Sequence, residues 1–291
     1  MEYIIDQLIN GLCQGSIYAL MAIGYSVVVG ITGMVTFVHG EVIMIGAFAA
    51  YYAFMIAGNN MIIGIISSFV ASWLIGMAIY YICNEHFFNS PGYISLVCTI
   101  GASMIIKSLA QIIFGPNQKP LLNVIQNKVY HFGLVDISNI QIIVMAIVII
   151  LASLLSFFIN KTRWGIALRA VSQNKDAAYL VGINVKSTAM IGNCIGCGLA
   201  GIAGLLISIY YEMVQATMGG SLGMKAFASA VLGGLTDTRF AALGGLCIGI
   251  IENLGITFTS ASYRDIFAFA FLIIVLIFKP QGFRSKKGEC S

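Results

Sequence analysis

The chain alternates between long apolar runs and short polar links from near its start to near its end. The runs fall at about 7–30, 38–57, 61–83, 92–114, 139–160, 188–210, 223–236, 240–260 and 264–279. Most approach the roughly 20 residues that a helix needs to cross a hydrocarbon core about 30 Å thick. Runs of this length argue for helices, because a membrane barrel would show segments of about ten alternating residues. The pattern predicts an all-α, polytopic membrane bundle of eight to ten spans, with nine as the best count. The run at 223–236 is the weak member. It is short, has Lys225 near its start, and follows the cluster Met218-Gly-Gly-Ser-Leu-Gly223, so a half-helix or re-entrant element is expected there.

Two longer polar intervals interrupt the runs. Gly115 to Ser138 carries Pro116, Asn117, Pro120, Asn123 and Asn127 and reads as an exposed loop. Lys161 to Lys186 gathers Lys161, Arg163, Arg169, Lys175 and Lys186. Basic residues accumulate on the cytoplasmic side, which places that interval there, together with the C-terminal Arg284, Lys286 and Lys287. Four runs lie between these points, an even number as required, and counting back puts the N-terminus outside. The expected organisation is a single transmembrane domain over 1–291, with 161–187 as a cytoplasmic loop within it.

Composition agrees with this reading. The chain is 59% hydrophobic and 9% charged, against about 25% charged in soluble domains. Its formal charge of +4 therefore speaks to orientation in a bilayer and not to nucleic acid. The opening MEYIIDQLING has acidic Glu2 and Asp6 where a cleavable signal would be basic. The cysteines lie mostly within apolar runs. Cys194 and Cys197 have CxxC spacing but no nearby histidine, and are expected to pack, with no metal site.

Small residues recur at helical spacing. Gly192, Gly196, Ala200 and Gly204 form one ribbon; Gly11, Gly15 and Ala19 form a second, and Gly245 with Gly249 a third. Such ribbons let helix backbones approach closely where no hydrophobic drive exists between helices. Charges within the runs each need a reason, since one at the bilayer centre costs about 2.5–3.5 kcal/mol on insertion scales. Lys107, Glu212 and Arg264 sit toward span ends and can reach the interface. Glu41 stands at the entrance of the second run, where it either starts a helix, favoured by the dipole, or serves a polar path. Glu252 lies well within the eighth run beside Asn253, facing either a cavity or an interhelical hydrogen bond.

Catalysis finds no support. Gly101-Ala-Ser103-Met is superficially like the serine motif of rhomboid proteases, but His39, His86 and His131 all lie outside mid-span positions where a base is needed. No HExxH occurs, and no G-x-x-x-x-G-K-[ST] phosphate loop. Any ATP that drives this protein must be bound by another chain.

Several phrases in order resemble the membrane-spanning permeases of bacterial branched-chain amino-acid ABC transporters. GLCQGSIYALMAIGYSVVVGITGMVTFVHGEVIMIGAF, with Phe37, His39, Gly40 and Glu41, is similar to that family's first two spans. GIALRAVSQNKDAAYLVGINV resembles its main cytoplasmic loop, and GMKAFASAVLGGL with GGLCIGIIENLG its final third. Thr236-Asp-Thr-Arg-Phe240 departs from the glycine- and proline-containing turn of relatives. The resemblance implies a transport subunit without its own ATPase site in a bacterial plasma (inner) membrane. It further implies two cytoplasmic ABC ATPases carrying ATP and Mg²⁺, a second homologous permease completing a heterodimer, and an extracytoplasmic amino-acid-binding protein. No cofactor is expected on this chain, and its surroundings are lipid bilayer.

Asp176-Ala177-Ala178-x-x-x-Gly182 resembles the loop by which ABC importer permeases dock their ATPases, with Asp where Glu is usual. Its residue types agree: Tyr179, Leu180 and Val181 give a short helix an apolar face, and Gly182 suits its end. His39, Glu41, Asn193, Glu252 and Asn253 are the candidates for polar lining or gating of the path. Other solutes of related permeases (urea, amides, sugars) stay open. So does an ATP-independent secondary transporter or channel, for which Glu252 with Asn253 is the plausible coupling-ion seed.

Overall fold

The computed structural model describes residues 2–86, 92–121, 124–125, 128–132, 135–260 and 263–279. The helices are α1 Glu2–Thr32, α2 His39–Ala57, α3 Met61–Ile79, α4 Gly92–Phe114, α5 Asn139–Lys161 and α6 Arg163–Gln173. They continue as α7 Lys175–Leu180, α8 Val185–Tyr211, α9 Met218–Gly233, α10 Thr238–Phe258 and α11 Arg264–Phe278. Tyr80–Glu85 extends α3 as a wider π-helical turn. Seven helices among the described residues are long and apolar enough to cross a membrane: α1, α2, α3 with its extension, α4, α5, α8 and α10. This is the multi-pass helical membrane bundle that the apolar runs require.

The other two expected spans form α9 and α11, of 16 and 15 residues. At 1.5 Å per residue these are about 24 and 22 Å long. α9 begins at Met218, so the glycine cluster lies inside its first turns and does not precede it. Glycine is a poor helix former by about 1 kcal/mol, and here packing overrides propensity: Gly219 and Gly223 let α9 touch the backbone of α2 at Gly40.

The interval expected as a plain loop also holds strands. β2 Val129–Phe132 pairs with β3 Val135–Ser138 as an antiparallel hairpin. β1 Lys119–Pro120 pairs with β4 Met213–Val214, tying this interval to the end of α8. The strand sequences VYHF and VDIS are rich in β-branched and aromatic residues. Asn123, Asn127 and the C-terminal Arg284, Lys286 and Lys287 lie outside the described residues.

α1 and α8 form the buried centre, flanked by α2, α3, α9 and α10. α3, α4, α5 and α11 turn large apolar side chains outward, among them Ile66, Leu74, Ile105, Ile112, Ile149, Phe157, Ile273 and Ile277. A hydrocarbon solvent accepts such faces where water would not. The centre is held by backbone proximity. A Cβ built on Gly11 would stand 2.9 Å from Ile250 Cα, and one on Gly15 2.9 Å from Leu246 O. Gly245 lies against the Ala19 backbone and Gly249 against Gly15, so the ribbons on α1 and α10 face each other. On α8, Gly196 meets Gly24 O (2.6 Å from its built Cβ), Gly192 meets Ile31 and Leu168, and Gly204 meets the Ile43 backbone. Ala200 is buried in the same seam, its amide against Gly24.

Replacing Gly249 by Val should hold α1 and α10 apart and destabilise the bundle by about 1–3 kcal/mol, the usual cost of overpacking. Gly101→Ala faces open space on α4 and should leave stability unchanged or raised. Thermal unfolding of both variants in detergent checks this; an unaltered Gly249→Val midpoint contradicts the proposed seam.

Candidate functional site

α1 does not hand over to α2 at the bundle's end. Gly33, at φ 70°, turns the chain back, and residues 34–38 return beside α1. The His39 ring therefore packs edge-on against Tyr25, centroids 5.1 Å apart, about two turns, or roughly 10 Å, before α1 stops. α2 thus starts inside the bundle. Ser72 Oγ, in the middle of α3, donates to Val42 O at 3.2 Å. Gly46 lies against Gly201 in the middle of α8. Ser103 Oγ, in the middle of α4, donates to Glu41 Oε1 at 3.3 Å.

α9 begins at the same level. A Cβ on Gly219 would come within 2.7 Å of Glu41 Oε2 and 2.8 Å of the Gly40 carbonyl, and because that backbone cannot yield, the position requires glycine. Neither α2 nor α9 has a side-chain cap: Val38 and Thr217 make no capping bond. Of the first-turn amides, Glu41 N donates to Val38 O at 2.9 Å and Met218 N to Gln215 O at 3.2 Å, and no cap side chain meets the others. Between α2, α4 and α9 opens a cavity of about 370 Å³, lined by residues that include His39, Glu41, Ser103, Lys107 and Gly220. His39 Nε2 and Glu41 Oε2 are buried there without a hydrogen-bond partner.

A second polar centre lies between α1, α9, α10 and the start of α11. Glu252 is fully buried. Its Oε1 accepts from Lys225 Nζ at 2.9 Å and Gln14 Nε2 at 3.1 Å, and Arg264 Nε stands 3.1 Å away. Tyr18 OH donates to the same oxygen at 3.3 Å. Lys225 also pairs with Asp265 at 2.8 Å, and Arg264 bonds Tyr211 OH. Asn253 Nδ2 donates to Gln14 Oε1 at 2.8 Å and to Gly249 O at 2.9 Å. Two cations and two carboxylates thus balance. Taken alone, each charge would be costly to bury; paired and hydrogen-bonded, the desolvation cost is offset.

The basic interval is cut into helices by its own polar side chains. Thr162 caps α6 by accepting from Gly165 N, Asn174 caps α7 from Ala177 N, and Asn184 caps α8 from Ser187 N. α7 closes at Gly182, φ 86°, whose amide donates to Tyr179 O at 3.0 Å. Ala178 is buried beneath α7, whereas Tyr179, Leu180 and Val181 are 73%, 84% and 75% exposed. Lys175 Nζ donates to Thr32 O at 2.6 Å, placing a cation on the C-terminal end of α1. Burial pushes the Lys175 ammonium pKa down, against the opposing effect of Asp176 beside it.

Of the residues singled out in the sequence, His39 and Glu41 share one cavity, and Glu252 and Asn253 share the charge cluster. Asn193 belongs to neither: its Nδ2 donates to Gly76 O at 2.8 Å, joining α8 to α3. Asp176, Ala177, Ala178 and Gly182 lie together on α7 and its closing turn. Lys225 and Arg264, which read as span-end charges, are the partners of Glu252, and Lys107 lines the Glu41 cavity. An unpaired acid deep in an apolar run calls for a cation, and that argument could have pointed toward Lys225. Their separation along the chain, and that of Ser103 from Glu41, carries no local signal.

The second and ninth helices thus start within the bundle, around polar groups, in a multi-pass membrane protein. Residues 7–276 match the family described as "Branched-chain amino acid transport system / permease component". The chain is 34% identical to the high-affinity branched-chain amino acid transport system permease protein LivH of Escherichia coli, over 96% of this chain and 95% of that protein. It is 33% identical to the corresponding protein BraD of Pseudomonas aeruginosa, over 96% and 94%. To the ribose import permease protein RbsC of Haemophilus influenzae it is 23% identical, over 97% and 87%. The chain belongs to the family of branched-chain amino-acid transport permease components.

Removing Lys225 tests the charge cluster. Lys225→Met should destabilise the protein toward the lower end of the roughly 3–5 kcal/mol that breaking a buried pair costs, since Arg264 still faces Glu252. Lys225→Met with Glu252→Gln should lose clearly less than the sum of the single variants. Additive losses in thermal unfolding would mean the two residues do not interact.

Proposed function

We propose that this chain is the membrane-spanning subunit of an ABC importer for branched-chain, hydrophobic amino acids in the plasma (inner) membrane. The observation that carries this reading is likeness along almost the whole chain to permeases whose names specify that substrate. Greater identity to those than to the ribose permease favours amino acids over sugars. Two cytoplasmic ATPases would bind ATP and Mg²⁺, a second related permease would complete the pore, and an extracytoplasmic binding protein would deliver the solute. The chain itself would be one transmembrane domain with no nucleotide site of its own.

In this reading α7 is the docking element. Its apolar Tyr179, Leu180 and Val181 project from an end of the bundle otherwise rich in basic residues. A docked helix passes rigid-body motion to the elements it touches, biasing inward- and outward-facing states. Lys175 ties α7 to the end of α1, and Lys186 pairs with Glu85 at the end of α3 at 3.4 Å. The balance of Glu252 and Asp265 against Lys225 and Arg264 speaks against the secondary-transporter alternative, since a coupling cation would add an unmatched charge there.

The decisive experiment is reconstitution with the partner chains, followed by ATP-dependent uptake of leucine under competition from other amino acids, urea and ribose. Leucine, isoleucine and valine should compete and the others should not. Leu180→Asp should cut ATPase co-purification and uptake by about tenfold or more, as loss of a central apolar contact does, while leaving insertion intact. Undiminished association would remove α7 from the interface. Ala178 is the poorer target because it packs against the protein's own core.

A further inference from the structure

The cavity between α2, α4 and α9 holds two opposite charges that do not meet. Glu41 has one oxygen occupied by Ser103 and the other buried without a partner. Lys107 lines the same cavity, and among the described residues no ion pair joins it to Glu41. His39 Nε2 is a further buried nitrogen without a partner. Gly219 and Gly220, in the first turn of α9 and uncapped by Thr217, also line the cavity. Phe37, Met224 and Phe227 complete the lining with apolar surface. A volume of about 370 Å³ falls within the roughly 300–1,000 Å³ of small-ligand sites.

We propose that this cavity is a binding site within the permease for a zwitterionic α-amino acid bearing a compact apolar side chain. The ammonium donates to Glu41, the carboxylate rests on Lys107 and the Gly219–Gly220 amides, and the side chain contacts Phe37, Met224 and Phe227. The charge arithmetic selects the ligand class. A monocation or a monoanion would satisfy one of the two cavity charges and leave the other unpaired at low dielectric, whereas a zwitterion satisfies both. A sugar satisfies neither. Backbone amides at a helix start and a lysine together make a carboxylate seat, and a glycine at position 219 keeps Glu41 within reach of it. The inference rests on the amino-acid-importer reading and adds where, and by which groups, the permease itself recognises the solute.

The test uses the complete complex in nanodiscs without its binding protein and measures equilibrium binding of tritiated L-leucine. Unlabelled leucinol, which lacks the carboxylate, and 4-methylpentanoate, which lacks the amine, serve as competitors. In the wild type both should compete far less well than leucine. Glu41→Gln should weaken leucine binding by about tenfold or more, the scale of one charge-assisted hydrogen bond, and should lose the preference over 4-methylpentanoate. Lys107→Met should lose the preference over leucinol. Gly220→Leu provides a variant free of charge changes: Gly220 lines the cavity and a Cβ there meets nothing within 4 Å, so the added side chain should occupy the cavity and abolish binding in a normally assembled complex. An uptake-competent complex that binds no leucine, or binds it equally well after Glu41→Gln or Gly220→Leu, overturns the site. A wild-type complex that imports no amino acid overturns the importer reading instead.

Discussion

Close backbone contact between glycine-rich helix faces is the constraint on which the rest of this structure depends. In a bilayer, lipid tails are as apolar as leucine, so burial alone does not draw helices together. α1 meets α10 through Gly11, Gly15, Gly245 and Gly249, and meets α8 through Gly24 and Gly196. Side chains at these positions would have to displace backbone, which cannot move as a side-chain tip can. The close approach lets α1 and α8 serve as an inner frame, and α2 and α9 begin against that frame at mid-depth.

Irregular backbone at membrane depth is tolerated only where protein or a polar cavity covers it. The two helix starts meet this condition through each other, Gly40 against Gly219 and Gly223. They also bring polar side chains to mid-depth in two different states of charge balance. Around Glu252 the charges are matched by Lys225, Arg264 and Asp265, which makes that centre a clamp joining α1, α9, α10 and α11, although Glu252 Oε2 itself accepts no hydrogen bond. Around Glu41 the matching is incomplete, with buried Oε2 and His39 Nε2 unpartnered beside open space. Unmet hydrogen-bonding capacity in a low-dielectric setting is costly, and a site with that property gains most from a complementary ligand.

The basic end of the bundle connects to this interior by short paths. Lys175 bonds the last carbonyl of α1, Tyr80 OH donates to Lys186 O at 2.9 Å, and the chain from Thr32 returns within a few residues to His39 and Glu41. Lys175 thus joins α7 to the end of α1, and the turn at Gly33 joins that end to the start of α2.

Hydrophobic run length alone located seven of the nine expected spans, because the bilayer imposes a minimum length that shows in the residue pattern. Basic residues marked one end of the bundle, and the spacing of Gly192, Gly196, Ala200 and Gly204 revealed a packing face, since both are local properties. Helix caps at Thr162, Asn174 and Asn184 are local as well. The start of α9 was not legible, as the glycines that weaken a helix in isolation are those that allow its contact with Gly40. Nor was the partnership of Lys225 and Arg264 with Glu252, or of Ser103 and Lys107 with Glu41. Those pairs join helices far apart in the chain, and only the crossing of glycine faces decides which side chains arrive at the same depth.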